Sequence, residues 1–363
     1  MFRSRKSTLV ACLAGLALVL SGCGGIASSG EGRSVELKAA SLLPPNGSQS
    51  DMIQWFMDEL EKRTGGEVET EVVHGGALLS GTDVLPGMKQ GRAEAGQIVP
   101  AYFPAELPLN NVNMVPMAGA DQAARLLAFQ DLADGNDDFA AEFERNGLHL
   151  IGYLPNASST VAFNREVTSL DDVRGAKLRI PSQPQSVVWE ELGAEPVFMA
   201  SEEVYEAVER NIVDGVTFPM DTQVANGITE VAKYMAPDIG QNGGAIFAIS
   251  QTVYDRLSDD VKAVIDELKG EWYAKTAELL TEYEQQACEK FTAAGGTVVL
   301  WDDDEQKTIA SATEKLATDV WQTEAAKSVD RSAVEQVWSD YTAAVEQHTG
   351  EAGYTDGLQT CGK

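Results

Sequence analysis

The sequence predicts a two-lobed α/β protein, each lobe a parallel or mixed sheet covered by helices. Three observations carry this. Short apolar strands alternate with amphipathic helices from Val35 to Val99, an order β-α-β-α-β with tight connections that favours a sheet covered on both faces. Setting aside residues 1–22 leaves 341 residues, more than one hydrophobic core accommodates. A helical pattern of unusual length runs from Asp259 to Ala294, interrupted only by Gly270 and closed by Gly295-Gly296, and suits a backbone laid across two lobes.

In chain order, Val35–Ala40 reads as the first strand. Asp51 to Arg63 is a helix with Ser50 as N-cap and Met52, Ile53, Phe56, Met57 and Leu60 on one face, stopped by Gly65-Gly66. Val68–Val73 is a strand, Asp83–Gln90 a short helix and Ala93–Val99 a strand. Leu150–Leu154 and Val161–Asn164 are strand-like and fall where the first lobe passes to the second. Ser169 to Asp172 forms a capping box before the strand Lys177–Ile180, which Pro181 ends. Gln185–Leu192 is helical. Ser201 caps a further helix with Val204, Val208 and Ile212 inward, and Val213–Phe218 is the returning strand. A late strand at Thr297–Trp301 and two acidic helices follow. The expected division is a signal at 1–22 and a tether at 23–34. Lobe I takes 35–156 plus about 247–285, lobe II 157–246 plus about 286–327, and 328–363 is a C-terminal helix and tail.

The N-terminus has the layout of a secretory signal: Arg3, Arg5 and Lys6, then the twelve-residue apolar core Leu9 to Leu20. That core is short of the ~20 apolar residues a membrane span needs. Leu20-Ser21-Gly22-Cys23 resembles a bacterial lipobox, which makes Cys23 the lipidated N-terminus of the mature chain; the other reading is ordinary cleavage near Ala27. The Gly/Ser-rich stretch after Cys23 is a flexible tether. The protein is then expected outside the cytoplasm, held to the membrane only by its lipid. There disulfides persist, and Cys288 and Cys361 are the two cysteines that remain. A bond between them would close a loop of about 70 residues, worth roughly 3–4 kcal/mol in the loop-entropy model; the alternative is two free thiols.

Loss of the signal takes the formal charge from −29 to −32. Such a surface repels nucleic acid and anionic headgroups, and any site for an acid has to be locally basic and sheltered. Catalytic signals in the sequence are weak throughout. His74, His149 and His348 stand far apart with no metal-ligand spacing, and no P-loop, GxGxxG or G-x-S-x-G occurs. Asp302 to Glu305 and Asp259-Asp260 read as acidic helix starts. No cofactor or metal is expected.

One charge stands out. The strand KLRI carries Arg179 into apolar surroundings, and a guanidinium keeps its proton, so it requires acceptors wherever water is withdrawn. Its partner is either one of the protein's own acids or an anion from outside. The stretch from Ser169 to Pro219, "SLDDVRGAKLRIP…LGAEPVFMASEEVYEAVERNIVDGVTFP", resembles the central signature of the DctP-type solute-binding proteins of TRAP transporters. The segment "MIQWFMDELEKRTGGEVETEVVHGGALLSGTDVLPGMKQGRAEAG" is similar to that family's first lobe, and the helix after Ser258 to its spine.

The resemblance implies a periplasmic-binding-protein (Venus-flytrap) fold, two lobes with a ligand cleft between them. It also implies integral-membrane partner subunits that import the ligand with an ion gradient, commonly sodium. In that family the arginine of the GxKxR strand clamps the ligand's carboxylate, a role that falls on Arg179 and that suits a planar fork on a rigid strand. Ser182 and Gln183 are next in reach, or else serve the turn around Pro181 and Pro184. The slot where many members carry Asn holds Phe218. Where the sialic-acid branch has charged residues, this chain has Val99, Tyr102 and Ser159. Phe218 and Tyr102 are therefore expected as an apolar or aromatic wall, or as core, around a single charge anchor that suits a small monocarboxylate. The expected function is capture of an organic acid for a TRAP-type transporter. The binding protein of another importer or a sensor is the next reading, and a secreted α/β enzyme the last.

Overall fold

Alternation in VELKAA turns Leu37 and Ala39 inward and leaves Glu36 in solvent, and this strand, β1 (Val35–Ala40), organises the first of two sheets. The computed structural model describes residues 34–117, 121–240, 243–351 and 357–361. The expected signal, the tether and Cys23 lie outside the described residues.

The first sheet has the order β2-β1-β3-β10-β4, with β2 Val68–Val73, β3 Ala95–Ile98, β4 Leu148–Pro155 and β10 Gly244–Ser250. β1 pairs parallel with β2 and β3, and β10 runs antiparallel to β3 and β4. Helix α1 (Ser48–Arg63) buries Met52, Ile53, Phe56, Met57 and Leu60 against it. That helix starts three residues before the expected Asp51. Ser50 is not its cap, because its hydroxyl donates to the Pro44 carbonyl at 2.7 Å. Helix α2 (Val84–Lys89) follows β2, and α3 (Gln122–Gly135) and α4 (Asp137–Arg145) precede β4.

The second sheet has the order β11-β9-β5-β8-β6-β7: β5 Ser159–Phe163, β6 Lys177–Arg179, β7 Glu195–Val197, β8 Gly215–Pro219, β9 Tyr234–Pro237 and β11 Thr297–Val298. Its helices are α5 (Gln183–Glu191), α6 (Val204–Glu209), α7 (Met220–Ala225) and α8 (Ile228–Val231). The capping box at Ser169 and Asp172 forms, on a 3₁₀ turn. Two local expectations fail. Ala200, not Ser201, stands at the N-cap of the turn Ser201–Glu203, and Ile212 is exposed because α6 ends at Glu209 and Asn211 turns the chain with φ +55°. The late strand stops at Val298.

Three connections pass between the sheets, from β4 to β5, from β9 back to β10, and from β10 to β11. After α9 (Gln251–Tyr254), the 35-residue helix α10 (Asp259–Ala293) runs along both lobes. In its first half Trp272 stacks on Phe247, lies edge-on to Phe56 and donates its indole N–H to the Tyr153 carbonyl at 2.9 Å. Gly152 permits this approach: a Cβ there would meet the indole at 2.4 Å. Further along, Glu284 accepts from the Ser158 hydroxyl at 2.8 Å, so the spine grips the crossing segment itself. Helix α11 (Asp303–Ala325) packs on α5, and α12 (Arg331–His348) on α3. The short α13 (Gly357–Thr360) docks on α10, where Cys288 and Cys361 are joined with Cα atoms 5.4 Å apart. No helix among the described residues is long and apolar enough to cross a membrane.

Candidate functional site

In α/β sheets the ends of parallel strands leave backbone groups and loops facing a common crevice. Here the ends of β1 and β3 in one lobe face the ends of β5, β8 and β6 in the other. Between them lies a cleft of about 600 Å³, counted out to its open mouth. Arg179, Phe218 and Tyr102 all line it, as do Val99 and Ser159.

Arg179 sits on β6 beside β8 and is 1% exposed. Its Nε donates to the Met199 carbonyl at 3.1 Å, Nη1 to the Thr217 carbonyl at 3.2 Å and Nη2 to the Tyr102 hydroxyl at 3.1 Å. The guanidinium lies over the Phe218 ring, 4.5 Å from its centroid, as cation–π attraction favours. No carboxylate among the described residues forms an ion pair with it. Of five N–H groups, three are taken, which leaves one on each terminal nitrogen. Burial pulls its pKa down, and Tyr102, Glu202 and Glu203 oppose that; an arginine keeps its proton under such a shift.

Tyr102 comes from the first lobe, in the 3₁₀ turn Pro100–Tyr102, so its bond to Arg179 crosses the cleft. The same hydroxyl pairs with Ser201 Oγ at 3.0 Å. Phe218 is thus a shelf beneath the charge, and Tyr102 a polar-tipped wall opposite it.

Ser182 and Gln183 are placed differently from expectation. Gln183 is exposed at the start of α5 and does not reach the cleft wall. Ser182 is buried, and its hydroxyl donates to Gln185 Oε1 at 2.9 Å. Gln185 is the residue of this segment that lines the cleft; its Nε2 donates to Asp238 Oδ2 at 3.1 Å. Asp238 also accepts the Trp189 indole N–H at 2.9 Å. Because a carboxylate only accepts, this chain fixes which way the Gln185 amide points. On the first-lobe side, Gln97 accepts the Leu42 N–H at 2.9 Å and donates to Gln49 at 2.7 Å. Sequence reasoning missed Gln185, Asp238, Gln97 and Gln49. The spacing of Ser182 and Gln185, one helical turn, was the one available signal.

Among the described lining residues Arg179 is the sole cation and Asp238 the sole acid. No group of three or more metal-ligating side chains gathers among the described residues. The arrangement sets one cation and one acid among neutral polar and apolar groups.

Fold and cleft together define a solute-binding receptor. Residues 39–324 match the family model of DctP, the bacterial extracellular solute-binding proteins of family 7, and the chain belongs to that family. It is 25% identical to the 2,3-diketo-L-gulonate-binding periplasmic protein of Escherichia coli over 69% of this chain and 77% of that protein. Among solved structures, a TRAP solute-binding protein of Rhodoferax ferrireducens in complex with benzoate superposes with a TM-score of 0.78 at 17% identity, covering 88% of this chain and all of that one. One from Desulfovibrio salexigens with bound orotic acid gives 0.76 at 18% identity, covering 86% of this chain and all of that one. The two-lobed fold is that of these receptors, and the protein is an extracytoplasmic solute-binding protein rather than an enzyme.

Proposed function

We propose that the protein captures an organic acid by its carboxylate on Arg179 and delivers it to the integral-membrane subunits of a TRAP-type secondary transporter. The observation that carries this is a buried guanidinium on a cleft wall with two N–H groups open and no ion-pair partner among the described residues. A desolvated cation of this kind gains most from an anion that enters with bidentate geometry. A monocarboxylate is favoured, because a second carboxylate would find no further cation among the described lining residues. The relatives' ligands, benzoate, orotate and diketogulonate, are all acids. Phe218 and Tyr102 supply the aromatic wall. In this reading Cys23 bears the lipid, residues 23–34 form the leash, and Cys288–Cys361 holds the tail to the spine. Closure follows because the ligand touches both lobes, and only differential affinity shifts an open–closed balance.

A thermal-shift panel of benzoate, 3-hydroxybenzoate, galactonate, succinate and the neutral analogue benzamide tests the reading. A cognate acid at one hundred times its dissociation constant adds about 2.7 kcal/mol. Monocarboxylates are expected to raise the melting temperature, succinate less and benzamide not at all. Equal shifts with benzamide and benzoate, or none with any acid, would remove the organic-acid reading.

A further inference from the structure

We propose that Glu202 is a latch at the cleft mouth that joins the two lobes and sets the open–closed balance, a positioning role that rests on the receptor reading above. Glu202 does not line the cleft. Its Oε1 accepts the Gly81 backbone N–H at 2.9 Å, and the two residues come from different lobes, Gly81 from the loop after β2 and Glu202 from the turn Ser201–Glu203.

The first-lobe loop is built to receive this side chain. A Cβ on Gly76 would lie 3.7 Å from Glu202 Cδ, and one on Gly81 would lie 3.5 Å from Glu202 Oε2. Gly81 is also pressed against Tyr102, where a Cβ would meet the ring at 2.7 Å. Tyr102 in turn pairs with Ser201, the residue before Glu202. Gly81, Tyr102, Ser201 and Glu202 therefore interlock across the mouth, and any widening of the cleft breaks the set.

The latch is also limited in strength. Glu202 Oε2 is buried with no hydrogen-bond partner. In the closed arrangement one oxygen gains a charge-assisted bond while the other has lost its water, so the net preference for closure is modest. The nearby guanidinium of Arg179 attracts the carboxylate and offsets part of that loss. A balance held near even by the protein is one that a ligand can tip with little of its binding energy.

Small-angle X-ray scattering of the ligand-free protein reads the ratio of closed to open molecules. Glu202→Ala is expected to lower that ratio about ten-fold. Glu202→Gln, which keeps an acceptor oxygen, should lower it less. Gly81→Ala, made from the opposite lobe, should shift it in the same direction as Glu202→Ala. A ratio unmoved by Glu202→Ala, or a wild-type protein wholly open without ligand, overturns the latch. The measurement uses no ligand, so failure of every acid in the thermal panel would end the organic-acid reading and leave this result standing.

Discussion

Arg125 and Arg179 are both withdrawn from water, at 0% and 1% exposure, and neither forms an ion pair among the described residues. Each donates to backbone carbonyls: Arg125 to those of Asn113 and Val115, Arg179 to those of Met199 and Thr217. Each faces an aromatic ring, Tyr341 at 5.6 Å and Phe218 at 4.5 Å. They differ in what lies beyond. Arg125, on α3, is closed in by α12 and does not line the cleft, whereas Arg179 does. A buried guanidinium without a carboxylate is thus no mark of a binding site by itself. It becomes one where it borders space that a ligand can fill.

The comparison predicts opposite phenotypes. Arg125→Ala should lower unfolding free energy by roughly 3–5 kcal/mol, since it opens a cavity and strands the Asn113 and Val115 carbonyls. Urea denaturation checks this, and an Arg125→Ala protein as stable as wild type would erase the distinction. Arg179→Ala should cost less unfolding free energy than Arg125→Ala, because Thr217, one of its two carbonyl partners, lines the cleft. Its effect belongs in binding: a loss of roughly 2–5 kcal/mol, about thirty- to several-thousand-fold in affinity for whichever acid the thermal panel identifies. Unchanged affinity by calorimetry would take Arg179 out of the site.

Arg179 was visible in the sequence because an arginine between Leu178 and Ile180 conflicts with its apolar setting, and such conflicts gather at functional sites. Arg125 was not, since in "QAARLLAFQDLADG" it reads as an ordinary helix residue; only the packing of α12, more than two hundred residues later, buries it. The spine and the strand–helix alternation were legible because periodicity is local. The first-lobe strand β10 was not read as a strand, and the expected division placed its first residues, Gly244 to Ile246, in lobe II. Its membership of the first sheet is settled by antiparallel partners at β3 and β4. Ser182 and Gln183 are close to Arg179 in sequence, just past the end of its strand. The start of α5 turns Gln183 to solvent and brings Gln185, two residues on and about half a turn round the helix, to the cleft instead.

The seam around Arg125 also carries a pH dependence. His348 ends α12, and its ring nitrogens lie 2.8 Å from Asp131 of α3 and 2.7 Å from Glu351. Two carboxylates on two nitrogens require both to be donors, which is the imidazolium form. Burial alone would lower the His348 pKa, but the two acids outweigh it and hold the pKa above its ordinary value. A group whose folded pKa is raised contributes stability that is fully present below its unfolded value, about 6.5, and is lost as pH rises through the folded value. The acids are half exposed, so the contribution is about 1 kcal/mol or less. Wild type should therefore lose more stability than His348→Gln between pH 6 and pH 8.5 in urea denaturation. Equal losses in the two proteins would mean that this pair of contacts does not join α3 to α12 in solution.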